Sequence, residues 1–263
     1  MHRETSGKRN LKEIMSVLSI EGSGKFLSLA FDRDGDVKRQ RICMHNDLCE
    51  RLIDEIDDVT NHRKDDISEV LVGDGPGSFT SLRIVFSTAK GLALALGIPV
   101  RKLSVLSLIA LSVLDSIGSA NGSADNSVGD SKKAYDIVIP LTDARKGRLY
   151  YAAYSDCGKT LVRPGDKSPE EIASEVASLL RARANGSQTK AVFAIDDDSL
   201  TSCAKDMAGK CGAELILSEA NLAETMLRHS DMCSILEHFQ GPTYIRRSDA
   251  EENLLGLKRY TAK

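Results

Sequence analysis

Apolar residues recur along this chain in two rhythms, and the switches between them mark its elements. Period-two alternation and short apolar runs bounded by turn residues predict strands over 15–20, 26–31 and 37–43. Glu21-Gly22-Ser23-Gly24 turns the chain after the first, and Asp34-Gly35 supplies the hairpin signal after the second. Helical spacing then takes over. Leu48, Leu52, Ile56 and Val59 share one face, and Asp47 with Glu50 three residues on predicts a capping box. A strand over 69–72 precedes a helix over 79–96, which Gly97 and Pro99 stop. A short strand over 100–103 and a helix over 105–117 follow. Residues 118–134 carry almost no apolar side chains and read as a flexible loop. The same order then returns: strands over 135–140, 148–155 and 160–163, and a helix opened by Ser168-Pro169-Glu170-Glu171 and ended by Asn185-Gly186. A strand over 191–195, a helix near 200–208, a strand over 213–217 and a helix from Asn221 complete it.

The helix over 79–96 is too apolar for one core. At 100° per residue, Phe79, Leu82, Ile84, Val85, Phe86, Thr88, Ala89, Leu92, Ala93, Ala95 and Leu96 fill an arc of roughly 220°, where about 100° serves a helix on a single sheet. Arg83 and Lys90 share the narrow remaining strip. The pattern predicts two covered faces, one at home and one elsewhere, and small Ser81, Thr88 and Ala95 permit another helix to approach closely. Glycines at 73, 75 and 77 turn the chain just before this helix. Their position suggests a phosphate cradle, but Ser78 breaks the dinucleotide fingerprint and no ribose-binding carboxylate follows.

Three strands, then alternating helix and strand, twice over, is the plan of a duplicated ribonuclease-H-like βββαβαβα unit. That is a two-lobed, actin-like (ASKHA) α/β fold, shared in plan with sugar kinases. The lobes are expected over 15–117 and 135–240, with a disordered leader over 1–14, Met15 as an alternative start, and a C-terminal segment over 241–263. Nucleotide-binding proteins of this plan hold phosphates with glycine-rich hairpins. Here Ile20-Glu21-Gly22-Ser23-Gly24-Lys25 misses the P-loop pattern, because Ser19 and Phe26 stand where Gly and Ser or Thr are needed. Asp196-Asp197-Asp198 follows the strand over 191–195 and reads as a solvated acidic helix start. Asp143 and Arg145, between two strands, read as a turn pair. No nucleophile–base spacing occurs, so no catalytic, cofactor-binding or metal-ligating residues are expected.

Composition narrows the setting. The 263 residues are 41% apolar and 28% charged with a net charge of −3, which gives no global attraction to nucleic acid or anionic membrane. Six scattered cysteines without a CxxC pair read as reduced thiols. No secretory signal is recognisable and no apolar run reaches a membrane span, so a cytoplasmic protein without membrane contact is expected.

Residues 75–100, GPGSFTSLRIVFSTAKGLALALGIPV, closely resemble the signature of the TsaB (YeaZ) family. Leu141 to Tyr151, LTDARKGRLYY, resembles the family's DAR motif, and PTYIRRSDAE over 242–251 is a third match. The resemblance implies a non-catalytic partner in making N6-threonylcarbamoyladenosine at position 37 of ANN-decoding tRNAs. It implies dimerisation with the catalytic paralogue TsaD, a TsaE-like ATPase in the assembly, tRNA reached through the complex, and ATP and metal on the partner subunits. The contact implied is a helical bundle of the first lobe, here Leu52, Ile56, Ser81, Ile84, Val85, Thr88, Leu92 and Ala95. Gly75, Pro76, Gly77, Ser78, Phe79, Thr80, Arg83, Lys90, Asp143 and Arg145 are then structural motif residues. Glu21-Gly22 stands where the family commonly has Asp-Thr, Asp196 to Asp198 replace a glycine-containing loop, and Ser81 replaces a usual Gly. The alternatives are a stand-alone actin-like ATPase or kinase, and direct tRNA binding by Arg246, Arg247, Lys258, Arg259 and Lys263. Glycopeptidase chemistry is not expected, because the paired metal histidines of TsaD are absent. The helix face would also allow a homodimer when the chain is alone.

Overall fold

The computed structural model describes residues 15–44, 47–120, 135–183, 189–237 and 240–246. Strands β1 (Ser16–Glu21), β2 (Phe26–Arg33) and β3 (Asp36–Cys43) form an antiparallel meander. Helix α1 (Leu48–Val59) leads to β4 (Glu69–Gly73), which lies parallel to β1 with Ile20 opposite Val72. Helix α2 (Phe79–Leu96) leads to β5 (Val100–Leu103), parallel to β4, and α3 (Val105–Ala120) closes the first half. The second half repeats the order: β6 (Ile137–Asp143), β7 (Leu149–Ser155), β8 (Thr160–Lys167), α4 (Pro169–Arg183), β9 (Ala191–Ile195), α5 (Thr201–Cys211), β10 (Glu214–Leu217) and α6 (Leu222–Arg228). A two-residue β11 (Ser234–Ile235) returns to the first sheet, antiparallel to β5.

The sheet orders are β11-β5-β4-β1-β2-β3 and β10-β9-β6-β7-β8. Without β11, both read 5-4-1-2-3 in the order of their own half, so the duplicated plan of the actin-like fold is present. Central strands β1, β4, β6 and β9 are covered on both faces along most of their length, while edge strand β3 exposes Asp36 to Arg39 and half-buries Gln40 to Cys43.

The third helix of each half packs on the other half's sheet. Helix α3 lies on β6, β7 and β9, and α6 lies on β1, β2 and β4. Leu106, Ile109 and Val113 from α3 meet Leu222 and Met226 from α6, with Tyr150 and Tyr154, in a core between the sheets. Two outer cores lie under α1 with α2, around Leu18, Leu52 and Phe86, and under α4 with α5, around Ile139, Phe193 and Met207.

Several local expectations need correction. The Asp47 side chain makes no capping bond; its carboxylate pairs with Arg51 at 3.1 Å instead. Helix α3 runs on to Ala120, three residues into the stretch read as loop. Strand β6 runs through Asp143, so the hairpin turn begins at Ala144. The Ser168 start forms a reciprocal cap: Ser168 Oγ accepts from Glu171 N at 3.2 Å, and Glu171 accepts from Ser168 N at 2.7 Å. The leader, residues 121–134 and the Asn185-Gly186 stop lie outside the described residues. Helix α2 is long and apolar enough to cross a membrane by length and composition, contrary to the expectation above. Leu82, Val85, Phe86 and Ala89 nevertheless bury one side of it in the home core.

Candidate functional site

Helix α2 is seated by the glycine loop before it. Ser78 caps it by accepting from Ser81 N at 3.4 Å, and Gly97 at φ 69° ends it in the left-handed conformation. Gly77 is required for close approach: a Cβ there would lie 2.5 Å from Ser23 Cβ and 2.6 Å from Ser23 O. The Ser78 amide donates to that same Ser23 carbonyl at 2.8 Å. Gly75, at φ 70°, bends the loop so that its carbonyl accepts from Val105 N at 2.8 Å. The glycines therefore pack the helix against the first hairpin, and the cap-position amide of Ser78 and the third-position amide of Ser81 are engaged within the fold.

Three faces of α2 meet three surroundings. Leu82, Val85, Phe86 and Ala89 are in the home core. Phe79, Arg83 and Lys90 meet the segment 240–246: Tyr244 stacks on Phe79 with ring centroids 4.5 Å apart, its hydroxyl accepts from Arg83 Nε at 3.3 Å, and Lys90 Nζ donates to Gln240 O. The third face, with Thr80, Ile84, Ser87, Thr88, Gly91, Leu94 and Ala95, is exposed or half-exposed, and Leu94 is 78% exposed. An apolar, small-residue face of this extent is what a partner helix covers. Ile53 on neighbouring α1 adds 46% exposed apolar surface.

Among the residues expected at a partner contact, Ala95 is exposed and Thr88 half-exposed, while Ile84 and Leu92 are half-exposed at the margin of the home core. Leu52, Ile56 and Val85 are 1%, 0% and 1% exposed because they point into the first lobe's own core, so they cannot also meet a partner. Ser81 lines the cleft between the lobes. Arg83 and Lys90, on the narrow strip, hold residues 240–246: Arg83 stays exposed beside Tyr244 and Lys90 is half-buried under Gln240 O.

The cleft encloses about 520 Å³ and is lined by the first hairpin (Ser23 to Lys25), Phe79, the second-lobe turn at Ala144 to Lys146, Asp196 and Asp197. Both walls are bridged. On one, Lys25 Nζ lies 2.5 Å from Asp198 Oδ1 and 3.5 Å from Asp197 Oδ1, and Arg41 Nη2 donates to Asp196 O at 3.1 Å. On the other, Arg246 Nη1 donates to Ala144 O at 3.0 Å. The acidic run is thus a cross-lobe clasp as well as the helix start expected. Asp197 caps the following turn by accepting from Ser199 N at 2.9 Å, the Asp198 side chain is 67% exposed, and Asp196 is half-buried. Burial pushes Asp196 up to about 6. It also pushes Glu21, whose carboxylate accepts from Ser23 N at 2.8 Å and Ser23 Oγ at 2.5 Å, up to about 7. Asp143 accepts from Arg145 N at 2.7 Å and pairs with its guanidinium at 3.4 Å, a turn pair in an exposed loop where Arg145 and Lys146 take φ of 65° and 55°.

Sequence reading missed Asp74. Its carboxylate accepts from Thr243 N at 2.9 Å and Thr243 Oγ at 2.8 Å and pairs with Lys102 at 2.8 Å, joining two matched segments 169 residues apart. Only its place between the motif glycines could have signalled it. All six cysteines are free thiols, and among the described residues no group of three His, Cys, Asp or Glu side chains is placed to hold a metal ion.

Residues 42–208 match the model of the family described as TsaD, tRNA N6-adenosine threonylcarbamoyltransferase. The chain is 29% identical over 145 residues to the tRNA threonylcarbamoyladenosine biosynthesis protein TsaB of Bacillus subtilis (strain 168), covering 53% of this chain and 55% of that protein. It is 28% identical over 148 residues to the TsaB of Escherichia coli (strain K12), with the same coverage. The chain thus spans about half the length of the curated relatives it matches. A solved Pseudomonas aeruginosa protein with similarity to peptidase YEAZ superposes with a TM-score of 0.63 at 19% identity, over 88% of this chain and 100% of that one. At that identity the likeness is one of fold.

Proposed function

The chain belongs to the TsaD family as a TsaB/YeaZ-like member, and on that premise we propose that it is a non-catalytic subunit in the biosynthesis of threonylcarbamoyladenosine in tRNA. In this reading it presents the open face of α2 to a TsaD-like catalytic paralogue and so supports that subunit's activity on ANN-decoding tRNAs. A TsaE-like ATPase joins the assembly, tRNA is met through the complex, and ATP and metal are held by the partners. Its free thiols suit the reducing cytoplasm.

One observation carries the proposal: an 18-residue apolar helix keeps only one side in its own core and leaves Leu94 78% exposed. The Lys25–Asp198 clasp across the cleft mouth and the Ser23–Ser78 bond at the α2 cap favour a supporting role over nucleotide chemistry in this cleft. The test is co-expression with the catalytic paralogue. Burying a leucine contributes about 1.5–3 kcal/mol, so Leu94→Asp with Thr88→Asp should weaken co-purification at least ten-fold while circular dichroism of the isolated chain stays unchanged. Undiminished binding by the folded double variant rules out this face. Micromolar Mg-ATP binding with turnover by the isolated chain would instead favour a stand-alone ATPase. The same face permits a homodimer without the partner, read as concentration-dependent mass in sedimentation.

A further inference from the structure

We propose that residues 240–246 are a strap that couples the seat of α2 in the first lobe to the turn at Ala144 in the second, so that the two loosen and tighten together. Seven residues make anchors on both lobes and in the core between them. Gln240 O accepts from Lys90 on α2. Thr243 gives both its donors to Asp74, which Lys102 holds from the other side, and the Asp74 and Lys102 side chains are only 12% and 9% exposed. Tyr244 lies on Phe79 with 16° between the ring planes and takes a hydrogen bond from Arg83. Ile245 packs against the core between the two sheets. Arg246 then reaches the second lobe at Ala144 O.

The three consecutive side chains at 244, 245 and 246 therefore grip α2, the central core and the second-lobe hairpin in turn. Widening the cleft on this wall lengthens the path from Phe79 to Ala144, and the strap is too short to span a longer path with both ends attached. Either Arg246 leaves Ala144 or Tyr244 leaves Phe79. The far wall, bridged by Lys25 with Asp197 and Asp198, reaches α2 at its cap, where Ser23 O accepts from Ser78 N, whereas the strap grips the helix at Phe79, Arg83 and Lys90. Coupling of this kind is reciprocal: what steadies α2 steadies the cleft, and the reverse. The inference does not depend on which partner covers the open face, and its test needs only the isolated full chain.

Hydrogen–deuterium exchange reads it directly. Arg246→Met removes the donor that grips the second lobe and keeps an apolar stem. Tyr244→Ala removes the ring that grips the first. A lost net hydrogen bond or ring stack speeds local opening roughly two- to ten-fold. Arg246→Met should accelerate amides at 79–86 by that factor, and Tyr244→Ala should accelerate amides at 144–149 likewise. The Ala144 and Arg148 amides are bonded within the turn, so their protection is measurable. Acceleration confined to the lobe that each side chain grips would overturn the proposal. Arg246→Met alone keeps it falsifiable should Tyr244→Ala fail to fold, since absent acceleration at 79–86 refutes the coupling.

Discussion

Replacing Glu21 with glutamine should remove most of the pH dependence of stability between about pH 4.5 and 7 that arises at the cleft floor. Glu21 ends β1 and is 2% exposed. Burial is the main cause that lifts its carboxyl from 4.5 to about 7; the two Ser23 hydrogen bonds oppose the shift, Asp196 adds to it and Arg41 opposes it. The unfolded carboxyl releases its proton near 4.5, and the folded one holds it to about 7. Within that window the folded state binds the extra proton, so its stability is highest below the window, falls as pH rises through it, and is lowest above 7. One pH unit corresponds to about 1.36 kcal/mol, which makes the loss about 3 kcal/mol. Glutamine keeps an oxygen for Ser23 and cannot ionise. The assay is urea unfolding at pH 5, 6, 7 and 8, followed by far-ultraviolet circular dichroism because the chain has no tryptophan. Subtracting the wild-type curve from that of Glu21→Gln removes the part of Asp196, lifted by burial to about 6 with the same sign, that does not act through Glu21; the part it adds to the Glu21 shift stays in the difference. The difference should favour the variant increasingly up to pH 7. Parallel curves, with unchanged m-values, would refute the assignment of Glu21 as a buried, proton-holding group.

Gly77→Ala should lower stability by about 2 kcal/mol or more, because its Cβ meets Ser23 backbone, which cannot swing away. Gly91→Ala, with nothing within 4 Å of the new Cβ, should instead raise it by up to about 1 kcal/mol; thermal melts of the two separate close approach from helix propensity. Lys102→Met leaves Asp74 buried and short of its cation, and should cost about 3–5 kcal/mol in chemical unfolding, much of it recovered in the double variant with Asp74→Asn. Ser168→Ala should cost about 1 kcal/mol and raise amide exchange in the first turn of α4, since Glu171 N loses its acceptor.

Much of the local architecture was legible in the chain. Strand β9 over 191–195 lies on its short apolar run, strand β5 over 100–103 follows the Gly97 and Pro99 stop as expected, and α2 spans the predicted 79–96. The candidate site was legible only in part. Helical spacing showed that α2 carries more apolar surface than one core needs, yet it gave Val85 and Ile84 the same weight. One is now 1% exposed and the other half-exposed. Leu52 and Ile56 were placed at a partner contact by the family resemblance, which names a helix bundle without saying which side of each helix its own core takes. Asp196 to Asp198 looked solvated because no local cation accompanies them; Lys25 comes from 172 residues away.

The chain by itself determined the order of elements, their repetition and the excess apolar surface of one helix, because these follow from rotation per residue and from capping and turn chemistry within a few positions. Tertiary structure alone decided which side of that helix is spent at home and which is left open. It also decided that α3 and α6 exchange sheets, that Gly77 yields to Ser23, and that Thr243, Tyr244 and Arg246 bind the helix to both lobes. Each of these depends on contacts between residues far apart in sequence. Such contacts are selected by shape, burial and charge once the sheets have closed, and no local periodicity encodes them.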